Sequence, residues 1–289
     1  MHLAFVRSRS QAGLAAPDVT VEVHLGSGLP GFQVVGVSES TTRQIRRRGR
    51  SAILSSHLKW PDFNITINLA PTEQPKEGAR YDLPIALGLL VASKQLPEQS
   101  IEKREFFGEL GLDGAIHPFR GCLAAALAAT QAGHECGIGL PGASEMATLT
   151  AGRLIAAPDL LSLCARLRAP DPEYVPEVST LDTDIPSYPD LSQLKGQPLL
   201  CMALEVAAAG GHHLLMTGPP GVGKTMAASV LPGLLPPMPK KTAQELRLLQ
   251  DVAGAAQCDA PPFRAPHHSS SVASLMGGTA RALPGEISM

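Results

Sequence analysis

Gly218-Pro219-Pro220-Gly221-Val222-Gly223-Lys224-Thr225 satisfies the pattern G-x-x-x-x-G-K-[ST] at every specified position. With roughly 0.1 per glycine, 0.03 for lysine and 0.12 for Ser or Thr, chance supplies about one such match per hundred chains of this length. The flanks sharpen the reading. An apolar run at 213–216, expected to be a short strand, leads into the glycines, and a helical pattern at 224–231 follows. Glycines let the backbone curl so that successive N–H groups face phosphate oxygens, and the helix N-terminus adds its partial positive charge. Lys224 is placed to pair with the β- and γ-phosphates of a nucleotide, and Thr225 to offer a hydroxyl to Mg²⁺. Residues 218–225 are therefore the candidate nucleotide-binding loop, with ATP and Mg²⁺ as expected ligands.

Hydrolysis needs in addition an acid at the end of a second buried strand, to hold the metal and position water. Downstream, Asp251 is the nearest candidate, but it lies in the helical pattern 242–252. No convincing acid of that kind follows before Met289, so the chain reads as a fragment or natural truncation that binds nucleotide without turning it over by itself.

Working outward, a helical pattern at 198–209 precedes the loop, and before it residues 169–190 carry Pro170, Pro172, Pro176, Pro186 and Pro189 among Asp, Glu, Ser and Thr. Proline removes a donor and fixes φ, so this stretch is expected to be an extended linker. Residues 1–168 alternate strand-like and helical patterns: strands at 19–25 and 64–69, helices at 41–57 and 82–96, a hairpin at 106–119 around Asp113-Gly114, and an Ala-rich helix at 121–132. The expectation is an α/β protein with a first domain at 1–168, a linker at 169–190 and a second, partial domain at 191–289.

Composition narrows the function classes. Lys plus Arg is 24 against Asp plus Glu 26, a net charge of -2, so nucleic-acid contact must come from a local patch. Seven Phe, three Tyr and one Trp are too few for a binder built mainly on stacked bases. Five cysteines without a C-x-x-C pair suggest neither a disulfide framework nor a zinc knuckle, but free thiols in a reducing compartment. Apolar runs at 85–92 and 122–129 are too short to span a bilayer, and 1–11 lacks a signal-peptide core, so a cytoplasmic location is expected.

The densest basic run is Arg43, Arg46, Arg47, Arg48 and Arg50, on the helix predicted at 41–57 and interrupted by Gly49. Guanidinium forks suit phosphate, so Arg46, Arg47 and Arg50 are candidate DNA contacts; a solvated face paired with Glu39 is the alternative. Phe263-Arg264-Ala265-Pro266-His267-His268 invites a metal reading, but no Cys or carboxylate lies at zinc spacing around the histidines.

Taken together, Asn68-Leu69-Ala70-Pro71, Pro75-Lys76-Glu77-Gly78, Tyr81-Asp82-Leu83-Pro84-Ile85-Ala86, the 218–225 loop, 263–268 and Pro284-Gly285-Glu286-Ile287-Ser288 resemble the YifB/ComM family of magnesium-chelatase-like AAA+ ATPases. The resemblance runs over essentially the whole chain and implies a Lon-protease-like (ribosomal S5 domain 2-like) N-terminal domain followed by a P-loop AAA+ domain. For the ComM branch it implies a hexameric DNA branch-migration motor used in recombination during natural transformation. It also implies that the Walker B strand, sensors, arginine finger and lid follow 285–288. Arg264, His267 and His268 fall in the insert that marks this AAA+ class, which makes them candidate DNA or intersubunit contacts. A Ser-Lys protease is not implied by the residues: no lysine lies between Lys103 and Lys195, and no serine between Ser56 and Ser93. A chelatase-type remodelling ATPase, and a product that only binds nucleotide or DNA, are the remaining alternatives.

Overall fold

The computed structural model describes residues 2–71, 79–143, 146–147, 154–169, 187–255, 258–278 and 283–289. The segment 75–78, most of the proposed linker (170–186) and 279–282 lie outside the described residues. Chain contacts separate two compact units: Met1–Leu181 with Asp251–Gly254 and Thr279–Leu283, and Asp182–Gln250 with Ala255–Gly278 and Pro284–Met289.

The first unit is α/β, built on a seven-stranded mixed sheet. Its strands are β1 (Leu3–Arg9), β2 (Asp18–Gly26), β3 (Gly31–Val35), β4 (Asn64–Ala70), β5 (Arg104–Phe106), β8 (Glu135–Gly139) and β9 (Leu154–Ala157), ordered β3-β4-β2-β1-β5-β8-β9. β1 and β4 each run antiparallel to β2, and the other four pairings are parallel. Period-two patterning explains the faces: Val19, Val21, Val23 and Leu25 of β2, and Ile65, Ile67 and Leu69 of β4, are buried, with less apolar neighbours between them.

Helix α1 (Glu39–Ser55) is amphipathic and capped by Ser38, whose hydroxyl accepts from the Thr41 amide. It runs through Gly49 without a break, because Gly49 is buried and its neighbours keep the helical ladder; the expected interruption there is not observed. Helix α2 (Asp82–Ala92) is buried on every side, as its nearly unbroken apolar sequence requires, and packs on β1 and β2. A Cβ built on Gly88 would lie 2.6 Å from Val23 Cγ2, so glycine sets how closely α2 approaches the sheet. The sequence pattern extends this helix to 96, but it stops at Ala92: Lys94 adopts φ 62°, and the amides of Gln95 and Leu96 both bond back to the Leu90 carbonyl. Leu96 is still buried, which is why the apolar periodicity overran the end.

The hairpin is shorter than predicted. Only β6 (Glu109–Leu110) and β7 (Ile116–His117) pair; Phe106 belongs to the main sheet, opposite Gly137 of β8. Helix α3 (Cys122–Gln131) follows, and α4 (Leu160–Arg168), capped by Asp159, packs on β9. All five cysteines are free.

The second unit holds α5 (Pro198–Gly210), α6 (Lys224–Leu234), most of α7 (Lys240–Ala253) and the short α8 (Val272–Met276). Its described residues contain no strand. The predicted strand at 213–216 is irregular chain, with Leu215 87% exposed. A strand is stabilised by pairing and by burial of its faces, and among the described residues here there is no neighbouring strand to supply either.

Candidate nucleotide-binding site

Helices α5 and α6 pack against each other, with Leu204 and Ala207 buried on the first and Ala227 and Val230 on the second, and the loop that ends at Lys224 leads into α6. Gln197, the N-cap of α5, donates from Nε2 to the Val222 carbonyl at 3.3 Å and ties the loop to the start of that helix. Gly221 and Gly223 sit at φ 84° and 89°. An added Cβ at either position would meet nothing within 4 Å, so the dihedral angle rather than crowding demands glycine.

Gly223 is the N-cap of α6 and supplies no side-chain cap, which leaves the first amides of the helix to another acceptor. Lys224 folds back over the loop, its Nζ donating to the carbonyls of Gly218 at 2.8 Å and Pro219 at 2.7 Å. These are neutral acceptors; a phosphate oxygen is a stronger partner for an ammonium. Thr225 is exposed one residue into the helix. Amides, ammonium and hydroxyl thus form the set that a Mg²⁺-nucleotide polyphosphate needs, and the residues fit the group. Mg²⁺ commonly keeps its waters and takes most of its other ligands from substrate phosphates, so the single hydroxyl of Thr225 is an adequate protein contribution.

Asp251 does not serve this loop. It groups with the first unit, where its Oδ2 accepts from the Leu123 amide at the start of α3 at 2.8 Å. Burial pushes its carboxyl above the ordinary range despite the backbone amides of 121–124 that favour the charged form.

The arginine run divides by depth. Arg48 leaves the exposed set: its guanidinium bonds both carboxylate oxygens of buried Asp82, Nε to Oδ2 at 2.7 Å and Nη2 to Oδ1 at 3.2 Å. Arg43 faces Glu39 at 3.9 Å, and Arg46, Arg47 and Arg50 are exposed along the helix. In the second unit Arg264 pairs with Glu286 (Nε to Oε2, 2.7 Å), and the rings of His267 and His268 lie 4.0 Å apart. Arg264, His267 and Glu286, with Phe263 and Ser274, line a cleft of about 270 Å³. Among the described residues no group of three potential ligands is placed to hold a metal.

Sequence reading missed the partners that lie far apart in the chain. Glu105, 1% exposed, receives Arg9 through both oxygens at 2.6 Å and His134 Nδ1 at 2.7 Å. Arg80 is buried beside Gln11 and Phe119. No local pattern announces either, because their hydrogen-bonding partners lie 29 to 96 positions away.

Known protein families match the chain in two segments. The family model "Subunit ChlI of Mg-chelatase" matches residues 21–140, and "Magnesium chelatase, subunit ChlI" matches 190–289. The chain is 41% identical over its whole length to the uncharacterised protein YifB of Salmonella typhimurium, and 41% identical to the competence protein ComM of Haemophilus influenzae. An uncharacterised protein of Mycobacterium bovis is 38% identical over 96% of the chain. The chain spans 58% of the YifB and ComM relatives and 56% of the mycobacterial one.

Proposed function

Because the chain belongs to the YifB/ComM family of magnesium-chelatase-like AAA+ proteins, we propose that its second unit binds ATP with Mg²⁺ as part of a motor that acts on DNA. The observation that carries this reading is the loop 218–225: two left-handed glycines, an uncapped helix N-terminus and the Lys224 ammonium held across the loop. In this reading Lys224 transfers from the Gly218 and Pro219 carbonyls to the β- and γ-phosphates, the amides of 221–224 face phosphate oxygens, and Thr225 completes the Mg²⁺ shell. Bound Mg²⁺ neutralises phosphate charge and aligns the terminal phosphoryl group.

The wider assignment is Lon-like scaffold (1–168), linker (169–190) and partial P-loop AAA+ domain (191–289), working as a homo-hexamer in the cytoplasm. Its activity would be branch migration during recombination of incoming DNA. Support comes from the competence protein among the relatives and from the exposed Arg46, Arg47 and Arg50. Arg264, His267 and His268 are assigned to DNA or to the neighbouring subunit. No helix among the described residues is long and apolar enough to cross a membrane.

Binding of labelled ATP by the whole chain is the direct test. Lys224→Ala should weaken it by about tenfold or more, since a charge-assisted contact is removed; equal binding by both chains, or by neither, defeats the assignment. A second reading, a remodelling ATPase that serves a metal-inserting partner, is favoured by the name both family models carry. Junction DNA that raises ATP turnover in a complete relative selects the first reading; no response to any DNA selects the second.

A further inference from the structure

Arg80 is 8% exposed, and its Nη1 has no hydrogen-bond partner. Nη2 donates to Gln11 Oε1 at 2.6 Å and more weakly to the Arg120 carbonyl at 3.4 Å, and the guanidinium carbon stands 4.7 Å from the centre of the Phe119 ring. None of the ion pairs among the described residues joins Arg80 to a carboxylate. A buried cation with a donor to spare is costly, because it forfeits water and receives only neutral acceptors in return. Burial accordingly pushes the guanidinium below its usual range.

The spare donor has company. Gln11 Nε2 is also buried without a partner, and its carbonyl end is the one that holds Arg80. A Cβ built on Gly121 would lie 3.0 Å from Gln11 Cδ, so Gln11 rests directly against the residue that opens α3. That helix has no cap of its own: Gly121, at φ 82°, gives no side-chain acceptor to the amides that follow. Those amides already attract an oxyanion, since Asp251 places its carboxylate on the Leu123 amide at 2.8 Å. Two orphan donors, one of them on a cation, therefore lie beside a helix N-terminus whose amides already hold a carboxylate.

We propose that Arg80, Gln11 and the N-terminus of α3 form an oxyanion site in the first unit, which takes a small phosphate or carboxylate group between Arg80 Nη1 and Gln11 Nε2, beside the resident carboxylate of Asp251. The site is independent of the nucleotide loop. Its ligand is recognised by charge and by two directed N–H donors rather than by shape, and the Asp251 charge limits its affinity through repulsion.

The test uses the full chain carrying Lys224→Ala, which removes the phosphate-pairing ammonium of the other unit. Inorganic phosphate, and separately acetate, is titrated at constant ionic strength while the side-chain amide resonance of Gln11 is followed by NMR. Saturable movement of that resonance is expected with at least one of the two, and the pair of titrations distinguishes the phosphate from the carboxylate ligand. Adding Asp251→Asn should tighten binding several-fold, because a competing charge is gone. Gln11→Leu, which retains the cation, should weaken binding several-fold as read by calorimetry, and Arg80→Gln should remove it. If Arg80→Gln does not fold, the opposite responses to Asp251→Asn and Gln11→Leu still decide the matter. No response to either anion, or a response unchanged in Gln11→Leu and Asp251→Asn, overturns the proposal and leaves the two donors to a buried water.

Discussion

Arg48 and Asp82 show how much a single residue pair can demand of its surroundings. The Asp82 side chain is 1% exposed, and burial pushes its carboxyl up to about 6 even though Arg48 bonds both of its oxygens. The same bond pushes the Arg48 guanidinium upward, so the pair is tight, yet desolvation is the larger influence on the acid. The fold thus favours protonated Asp82. That contribution to stability is fully present below the ordinary value of 3.8 and is lost as pH rises through about 6. Asp82→Asn should flatten this part of the stability profile, measured by urea denaturation across that range. Arg48→Ala should cost about 3 kcal/mol at neutral pH, where it leaves a buried unpaired carboxylate, and less at about pH 5, where protonation relieves the penalty. A cost independent of pH would show that Asp82 keeps its charge by other means. From sequence, Arg48 is one of five arginines in a single basic run; only the fold, by bringing Asp82 to it across 34 positions, removes it from the solvated face.

At the scale of elements, patterning was legible wherever local chemistry decides. The alternation of β2 and β4 and the cap of α1 follow directly from residue order, and so do the continuous burial of α2 and the glycine turn before α6. What could not be read were features set by tertiary partners. The 213–216 run has strand composition but, among the described residues, no strand in its unit to pair with, and α2 ends at Ala92 because the backbone at Lys94 turns left-handed, not because the apolar sequence stops. The two orphan donors beside α3 were equally invisible, because Gln11 and Arg80 are 69 positions apart. Two predictions belong here. Gly88→Ala gains helix propensity of about 1 kcal/mol but drives a Cβ into Val23, so the net result should be a loss of about 1–2 kcal/mol and a lower Tm. Replacing Arg46, Arg47 and Arg50 of α1 by Gln should weaken DNA binding by a complete relative and flatten its salt dependence by up to about 0.9 per lost phosphate contact. An unchanged slope assigns these arginines to a solvated face.

Over the whole molecule, the first unit has the larger continuous core and a sheet of its own, so a fragment of residues 1–168 should unfold cooperatively and show no cleavage of unfolded protein substrates. It should be less stable than the unit in the full chain by about 1 kcal/mol, because the Asp251 carboxylate that serves the α3 amides is missing. Calorimetry of the two chains tests this, and an aggregated fragment would move the boundary. The strand order carries a further consequence, for synthesis and for engineering. β1 stands in the middle of the seven, with β2 on one side and β5 on the other. Chain ends are ordinarily the places where tags, trims and fusions do least harm. Here Leu3–Arg9 is a keel: it joins a half-sheet made early by the ribosome to one whose strand β5, Arg104–Phe106, emerges much later. Until then one edge of β1 waits unpaired, exposed to adventitious strand pairing. Removing residues 1–11 should therefore split the sheet and yield inclusion bodies, whereas a tag ahead of Met1 should be tolerated.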